Sequence, residues 1–387
     1  MRYFSALILV ATGCTAPDLD AMFTQVDVTA GDQSDAEAAA VELINGAQDS
    51  LRLSLPAAQQ DGEMVEALVN AYNMGVDVEV VTDFDELAGD GIQRLINEDI
   101  PVSVTNDGLE YFEFVLTTDI AWSSDQTVLS TSFIVADAAR FVSSNDLGFN
   151  SDGARIIVTG QGEDLCDDLL KEHNQLMGYG GESADSVSTT AFDSSAKSIA
   201  DVRWRYPLGT GTQVELWFGP QERVTKRIID AVYSAKSDIR VLTDEFANEG
   251  LTKALQDKAD LGFDVEVIVG PRWGETSSAL ARLLRSNTPD VSKRQVTTGR
   301  VPTIVLIDLD VARDGEVYPA KAFVLSHDLY SAERLYRGSP VFTDQLIDGV
   351  LWVIEDNNNG GTPQDVADEL IPLVETYESY RATAEGL

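Results

Sequence analysis

Two stretches of the chain show the same succession of hydrophobic periods. Residues 41–83 read VELINGAQDSLRLSLPAAQQDGEMVEALVNAYNMGVDVEVVTD, and residues 228–270 read IIDAVYSAKSDIRVLTDEFANEGLTKALQDKADLGFDVEVIVG. In each, apolar residues first recur every three to four positions, which predicts an amphipathic helix. A short apolar run follows, LRLSL or IRVLT, and predicts a strand. A second helical pattern ends at Gly75 or Gly262 and leads to the apolar strand VDVEVVTD or FDVEVIVG. Ala47 matches Ala235 and GVDVEVV matches GFDVEVI, about 187 residues apart, so the chain is a tandem duplication.

Each copy continues with a third helix, DGIQRLINED or SSALARLLRS, and the first adds a strand PVSVT. Further strands are predicted at YFEFVLTT, TVLSTSFIV and ARIIVTG in the first copy and at PTIVLID and AKAFVLS in the second. The helix EDLCDDLLKEHNQLM closes the first copy. Strands alternating with helices imply an α/β fold with mostly parallel sheets flanked by helices on both faces. The expected boundaries are a signal peptide at 1–13, a tether at 14–34, repeats at 35–178 and 211–387, and a Gly/Ser/Thr-rich linker at 179–210.

Charge narrows the partners. Asp and Glu number 65 against 27 Lys and Arg, for a net charge of -38. Such a surface repels phosphate backbones and anionic headgroups, so nucleic acid is excluded as a partner. A solvated acidic surface, tolerable where salt screens its self-repulsion, is the expected reading.

The N-terminus carries an address. In MRYFSALILVATGCTAP, one Arg precedes an apolar run too short to span a bilayer. ATGC resembles the bacterial lipobox, which implies cleavage before Cys14 and diacylation of that residue. Lipid on Cys14 would attach the protein to a membrane. Thr15 stands where enteric bacteria place an inner-membrane retention aspartate, so the resemblance favours the outer membrane. The other cysteine, Cys166, is then without an intramolecular partner and is expected in the core.

The duplicated order of helix, strand, helix, strand, helix and paired strands resembles the phospholipase D superfamily. That resemblance implies two repeats packed about a pseudo-twofold axis. Each would contribute an H-x-K-x4-D strand and a G-S-x-N segment to one shared site. One histidine attacks phosphorus, the other protonates the leaving oxygen, and lysine and asparagine hold phosphate oxygens. In the second copy Val301 stands at the His position, Thr303 at the Lys and Asp308 at the Asp, with Ser326 and Asp328 at the Ser and Asn positions. In the first copy the placement on YFEFVLTTD puts Tyr111 at the His, Glu113 at the Lys and Thr118 or Asp119 at the Asp. Ser132 and Ile134 of STSFI then answer G-S-x-N.

Both histidines and both lysines of the signatures are therefore replaced. The chain's own two histidines lie elsewhere. His173 is expected on a solvated helix face, and His327 beside the site but turned away from it. Asp308, Asp310 and Asp328 are oxygen ligands that could gather a hard cation, yet a buried structural aspartate is the expected role of Asp308, and no metal or cofactor is expected. Trp217 and the GPRWG segment at Gly270–Gly274 are expected to pack rather than to line a pocket. The expected function is a non-catalytic binding or scaffold lipoprotein of the cell envelope, with an unidentified protein or ligand as partner. The alternative is a divergent phosphodiesterase using other residues.

Overall fold

The computed structural model describes residues 24–56, 58, 62–82, 89–105, 128–129, 132–145, 147, 153–177, 187–190, 205–208, 211–219, 224–246, 248–271, 291–309, 320–329, 332–336, 339–343, 347–356 and 368–386. The first half runs β1 (Gln25–Gly31), α1 (Gln33–Asn45), β2 (Ser50–Ser54), α2 (Glu63–Asn73), β3 (Asp77–Thr82), α3 (Asp90–Asn97), β4 (Val102–Thr105), β5 (Val128–Leu129), β6 (Phe133–Ala136), β7 (Arg140–Ser144), β8 (Arg155–Gln161), α4 (Glu163–Leu176) and β9 (Val187–Thr190). The second half runs β10 (Tyr206–Pro207), β11 (Thr212–Phe218), α5 (Val224–Ser234), β12 (Asp238–Thr243), α6 (Glu249–Asp260), β13 (Asp264–Val269), β14 (Val291–Gln295), β15 (Thr303–Ile307) and β16 (Ala320–Leu325). It ends with β17 (Ala332–Tyr336), β18 (Ser339–Thr343), β19 (Ile347–Asp348), β20 (Val350–Asp356), α7 (Ile371–Thr383) and β21 (Glu385–Gly386).

Local chemistry sets several of these boundaries. Asp32 caps α1 by accepting from the Ser34 and Asp35 amides, while the Asp35 carboxylate accepts from the Asp32 amide. This reciprocal pair satisfies donors that the first helical turn cannot. Helices α2 and α6 both end in a glycine with left-handed backbone, Gly75 at φ 93° and Gly262 at φ 83°. Only a residue without a Cβ adopts that turn cheaply, and it sends the chain straight into β3 or β13.

Each half builds one large mixed sheet. The first has the order β1-β8-β7-β6-β2-β3-β4-β9, the second β10-β11-β20-β16-β15-β12-β13-β14-β21. Within these two sheets parallel pairing is confined to β2-β3-β4-β9 and β12-β13-β14. The remaining neighbours are antiparallel, so the expectation of mostly parallel strands is corrected. The reason is the connections. Helical crossovers make parallel neighbours, whereas β6 and β7 are joined by the turn at 137–139 alone. Two boundaries also move. Gln25–Gly31 is not tether but a strand along the whole of β8. Val187–Thr190, assigned to the linker, extends the first sheet beside β4.

Among the described residues, three large cores hold the layers, beside a small cluster of Val81 and Leu176. One lies under α1, α2 and α3 of the first sheet, another under α5 and α6 of the second. The third lies between the sheets and mixes Val26, Phe133, Phe141 and Leu169 of the first repeat with Leu216, Ile304, Trp352 and Tyr377 of the second. Phe141 stacks on Trp352, ring centroids 5.4 Å apart. The Trp352 Nε1–H donates to Ser143 Oγ at 3.3 Å.

Backbone pairing also crosses the junction twice. β5 runs parallel to β19, and Gly153 bridges Arg300 in parallel. These contacts are related by exchange of the repeats. Arg300 precedes the strand β15 as Leu129 precedes β6, and Gly153 precedes β8 as Ile347 precedes β20. Such crossed pairs are what a pseudo-twofold axis between the repeats produces. A Cβ on Gly153 would lie 2.3 Å from the Arg300 carbonyl oxygen, so close approach requires glycine there.

Candidate functional site

The site expected from the sequence lies where β15 and its partner strands meet the inter-repeat core. Val301 and Thr303 are both buried, and Val301 packs in the core between the sheets. Thr303 Oγ1 lies 3.1 Å from Thr243 Oγ1 and donates to Asp328 Oδ1 at 3.2 Å. The Asp244 amide also donates to Asp328 Oδ1, at 3.2 Å. Ser326 Oγ accepts from the Val350 amide at 2.9 Å, tying β16 to β20. The structure therefore brings Thr303 and Asp328 together, with Ser326 two residues before Asp328. Their polar atoms are engaged in internal hydrogen bonds.

Asp308 stands at the far end of β15. Five residues of strand separate it from Thr303, about 16 Å at 3.3 Å per residue. It adopts a left-handed backbone, φ 59°, and is buried. Its Oδ1 accepts from the Lys236 amide at 2.6 Å, the Ser237 amide at 2.7 Å and Ser237 Oγ at 3.3 Å. This matches the structural role expected of it. Asp308 and Asp328 lie at opposite ends of the strand and do not converge on a cation. Asp310 lies outside the described residues.

The first repeat is placed differently from the sequence expectation. Tyr111, Glu113, Thr118 and Asp119 lie outside the described residues. By strand pairing, however, the counterpart of β15 is β6. β6 is antiparallel to β2 as β15 is to β12, and next to β7 as β15 is to β16. Asp137 follows β6, has φ 54°, and accepts from the Gln48, Asp49 and Ser50 amides at 2.8–3.1 Å. It is the repeat equivalent of Asp308. Counting back from it, Ser132 answers Thr303 at the Lys position and is not part of the G-S-x-N counterpart. That counterpart is Asn145, whose Oδ1 accepts from the Ile156 amide at 2.9 Å and ties β7 to β8 as Ser326 ties β16 to β20. Ile134 is simply a core residue of β6. The sequence did carry a signal: FIVAD and LID share an apolar run ending in aspartate.

Both histidines lie in the interior. His173 is not on a solvated face. It is fully buried, and its Nε2 lies 3.6 Å from Glu79 Oε2. Burial lowers its pKa against the pull of Glu79. His327 follows the end of β16. It is buried against Gly349, with Nδ1 making no hydrogen bond. Burial pushes its pKa down to about 4, which leaves it neutral at pH 7. Cys166 lies in the core as expected, its thiol pushed up to about 12 by burial. Trp217 is a core residue with the Arg227 guanidinium 3.5 Å over its ring. Among the described residues no group of three His, Cys, Asp or Glu side chains could hold a metal ion.

No protein-family model matches this chain, and no curated protein matches it. Solved structures do. Phosphatidylserine synthase of Haemophilus influenzae Rd KW20 superposes with a TM-score of 0.61 at 13% identity, over 94% of this chain and 87% of that one. Both have the fold of the phospholipase D superfamily. The chain has the phospholipase D fold. Polyphosphate kinase of Porphyromonas gingivalis, another structure of that fold, matches at a TM-score of 0.50 and 8% identity, over 92% of this chain and 56% of its own. The tandem repeats are thus arranged as in the phospholipase-D-like fold.

Proposed function

We propose that this is a non-catalytic phospholipase-D-like lipoprotein, attached to the cell envelope through lipid on Cys14 and acting by binding or as a scaffold. One observation carries the non-catalytic reading. The chain has two histidines, and neither stands at a His position of the signatures; both are buried. At the described His position stands Val301, which can neither attack phosphorus nor move a proton. Thr303, at the Lys position, brings no positive charge and is bonded to a carboxylate. Loss of the nucleophile and the phosphate clamp together removes most of the rate enhancement such a mechanism supplies. The lipid anchor is supported by the ATGC sequence alone, and the outer membrane by Thr15.

The test is turnover of bis(p-nitrophenyl) phosphate and of phosphatidylcholine vesicles by the purified chain. Background rates are expected, unchanged by His327→Asn. The second reading, a divergent phosphodiesterase, draws on a specific feature: His327 is neutral and its Nδ1 is unbonded, beside Ser326 and Asp328. Turnover abolished by His327→Asn would establish it and overturn the scaffold reading. Metabolic labelling with palmitate is expected to disappear in Cys14→Ser.

A further inference from the structure

A cleft of about 310 Å³ opens on the helix-covered side of the first sheet, between α1 and strands β1, β8 and β7. Leu43 and Val142 form its apolar floor, and Asp27, Glu42 and Thr159 stand on its rim. Neither carboxylate has a hydrogen bond or ion pair among the described residues.

The second repeat shows what the same space looks like when filled. Strand registers fix the correspondence. Arg140 pairs with Gln161 and Gln161 with Gln25, as Lys321 pairs with Glu355 and Glu355 with Gln213. Asp27 therefore answers Glu215, Thr29 answers Trp217 and Val142 answers Phe323. The match of Ala47 with Ala235 sets Ala39 against Arg227 and Glu42 against Asp230. In the second repeat Trp217 and Phe323 are large and buried, and the Arg227 guanidinium lies over the Trp217 ring. Glu215 accepts from Arg205 at 2.8 Å and from Trp217 Nε1 at 3.1 Å, and Asp230 accepts from Lys226 at 2.5 Å. In the first repeat the fillers are Thr29, Val142 and Ala39; Arg140 also lines the cleft, but its guanidinium is held by the Gly46 carbonyl at 2.8 Å and by Asp137 at 3.7 Å, so neither Asp27 nor Glu42 has an ion pair with it.

We infer that the first-repeat cleft binds an organic cation, a guanidinium or alkylammonium group on a short aliphatic body. The second repeat supplies that group from its own chain, as Arg227. In the first repeat the aliphatic part meets Leu43 and Val142, and the charge meets Asp27 and Glu42. The volume is at the lower end for small-molecule pockets, which suits a ligand of this size. The cation could be a free small molecule or the end of an arginine or lysine side chain on another protein.

Calorimetric titration of the whole protein at low ionic strength, where rim charges are least screened, tests this. n-Butylguanidinium is expected to saturate one site and to bind about tenfold more tightly than neutral n-butylurea, the size of effect two rim ion pairs supply. Asp27→Asn with Glu42→Gln should weaken it about tenfold. Asp260→Asn with Glu375→Gln removes the same charge from exposed helix positions and should leave binding intact, which separates a site from general attraction to an acidic surface. Ala39→Arg with Thr29→Trp should block the cleft while circular dichroism stays unchanged. Tighter binding of the free cation than of acetyl-Gly-Arg-Gly-amide identifies a small molecule as the source, and the reverse identifies a protein side chain. Equal affinity for butylguanidinium and butylurea, or equal loss in both double variants, overturns the inference.

Discussion

The two repeats place a glutamate at the same strand position and cover it differently, leaving Glu79 half-buried and Glu266 buried. In the first, Arg52 Nε lies 3.2 Å from Glu79, and Arg52 also reaches Asp77 at 2.5 Å. The helix α4 then lays His173 over Glu79. In the second, Arg240 reaches Asp264 at 2.5 Å, and Glu266 takes the place of Glu79. The helix α7 lays Tyr377 over it, the hydroxyl donating at 2.9 Å, while Arg294 and Arg381 reach in at 2.7 and 2.8 Å. The His173 ring, and Arg52 beside it, hold the Glu79 carboxyl below its usual range. The strands have kept their charge pattern and the covering helices have not. A duplicated sheet thus dictates where the charge sits, and the helix packed on it decides whether a histidine ring lies over it beside Arg52 or a tyrosine hydroxyl and two further arginines reach it.

That contrast can be broken at four places, taken from the largest effect down. Asp308→Ala leaves two amide donors without an acceptor and an alanine in a left-handed conformation. It should cost about 4 kcal/mol in urea unfolding. Asp137→Ala, at a more exposed position, should cost less; an equal loss would mean that the two aspartates are not the equivalents described. Trp217→Thr imports the first repeat's residue into a packed core and should cost about 3 kcal/mol. If unfolding shifts by a few tenths only, the second repeat does not depend on that filler.

The third place is acid stability. A histidine whose folded pKa is depressed leaves the protein unaffected above its unfolded value, near 6.5. Stability is then lost as pH falls toward the folded value, because the unfolded chain takes up the proton first. For His327 the window runs from 6.5 to about 4, worth about 3 kcal/mol at 1.36 kcal/mol per pH unit. His327→Asn should flatten the unfolding free energy across that window, and His173→Phe should flatten it in the same direction. An unchanged slope in both variants would show that neither ring is buried as described. Last, Arg205→Ala removes an exposed partner of Glu215 and should change stability by less than about 0.5 kcal/mol.

The duplication was legible because its punctuation is physical. Gly75 and Gly262 mark helix ends that need a left-handed residue, and DVEV after each is an unmistakable strand. The first repeat's signature strand was not legible from spacing alone. With His and Lys replaced, FIVAD is one apolar run among several, and only Asp137 with its backbone donors distinguishes it. His173 was misread from its acidic neighbours. Its spacing from Leu165 and Leu169, one turn apiece, already put it on the buried face of α4. The strands β7 and β14 escaped for another reason: each has only five residues, several of them polar, and periodicity in five residues is weak.

One feature has mechanical meaning. β1 is the edge of the first sheet, held to β8 along seven residue pairs, and its inward Val26 and Val28 share a core with Leu373 and Tyr377 of α7. A pull delivered through the N-terminal segment would run along this strand. The ladder would be loaded in shear, so that all seven pairs resist at once rather than peeling singly. The helix pressed against it belongs to the opposite end of the chain, and tension entering at one terminus would be shared with the other before any sheet opened.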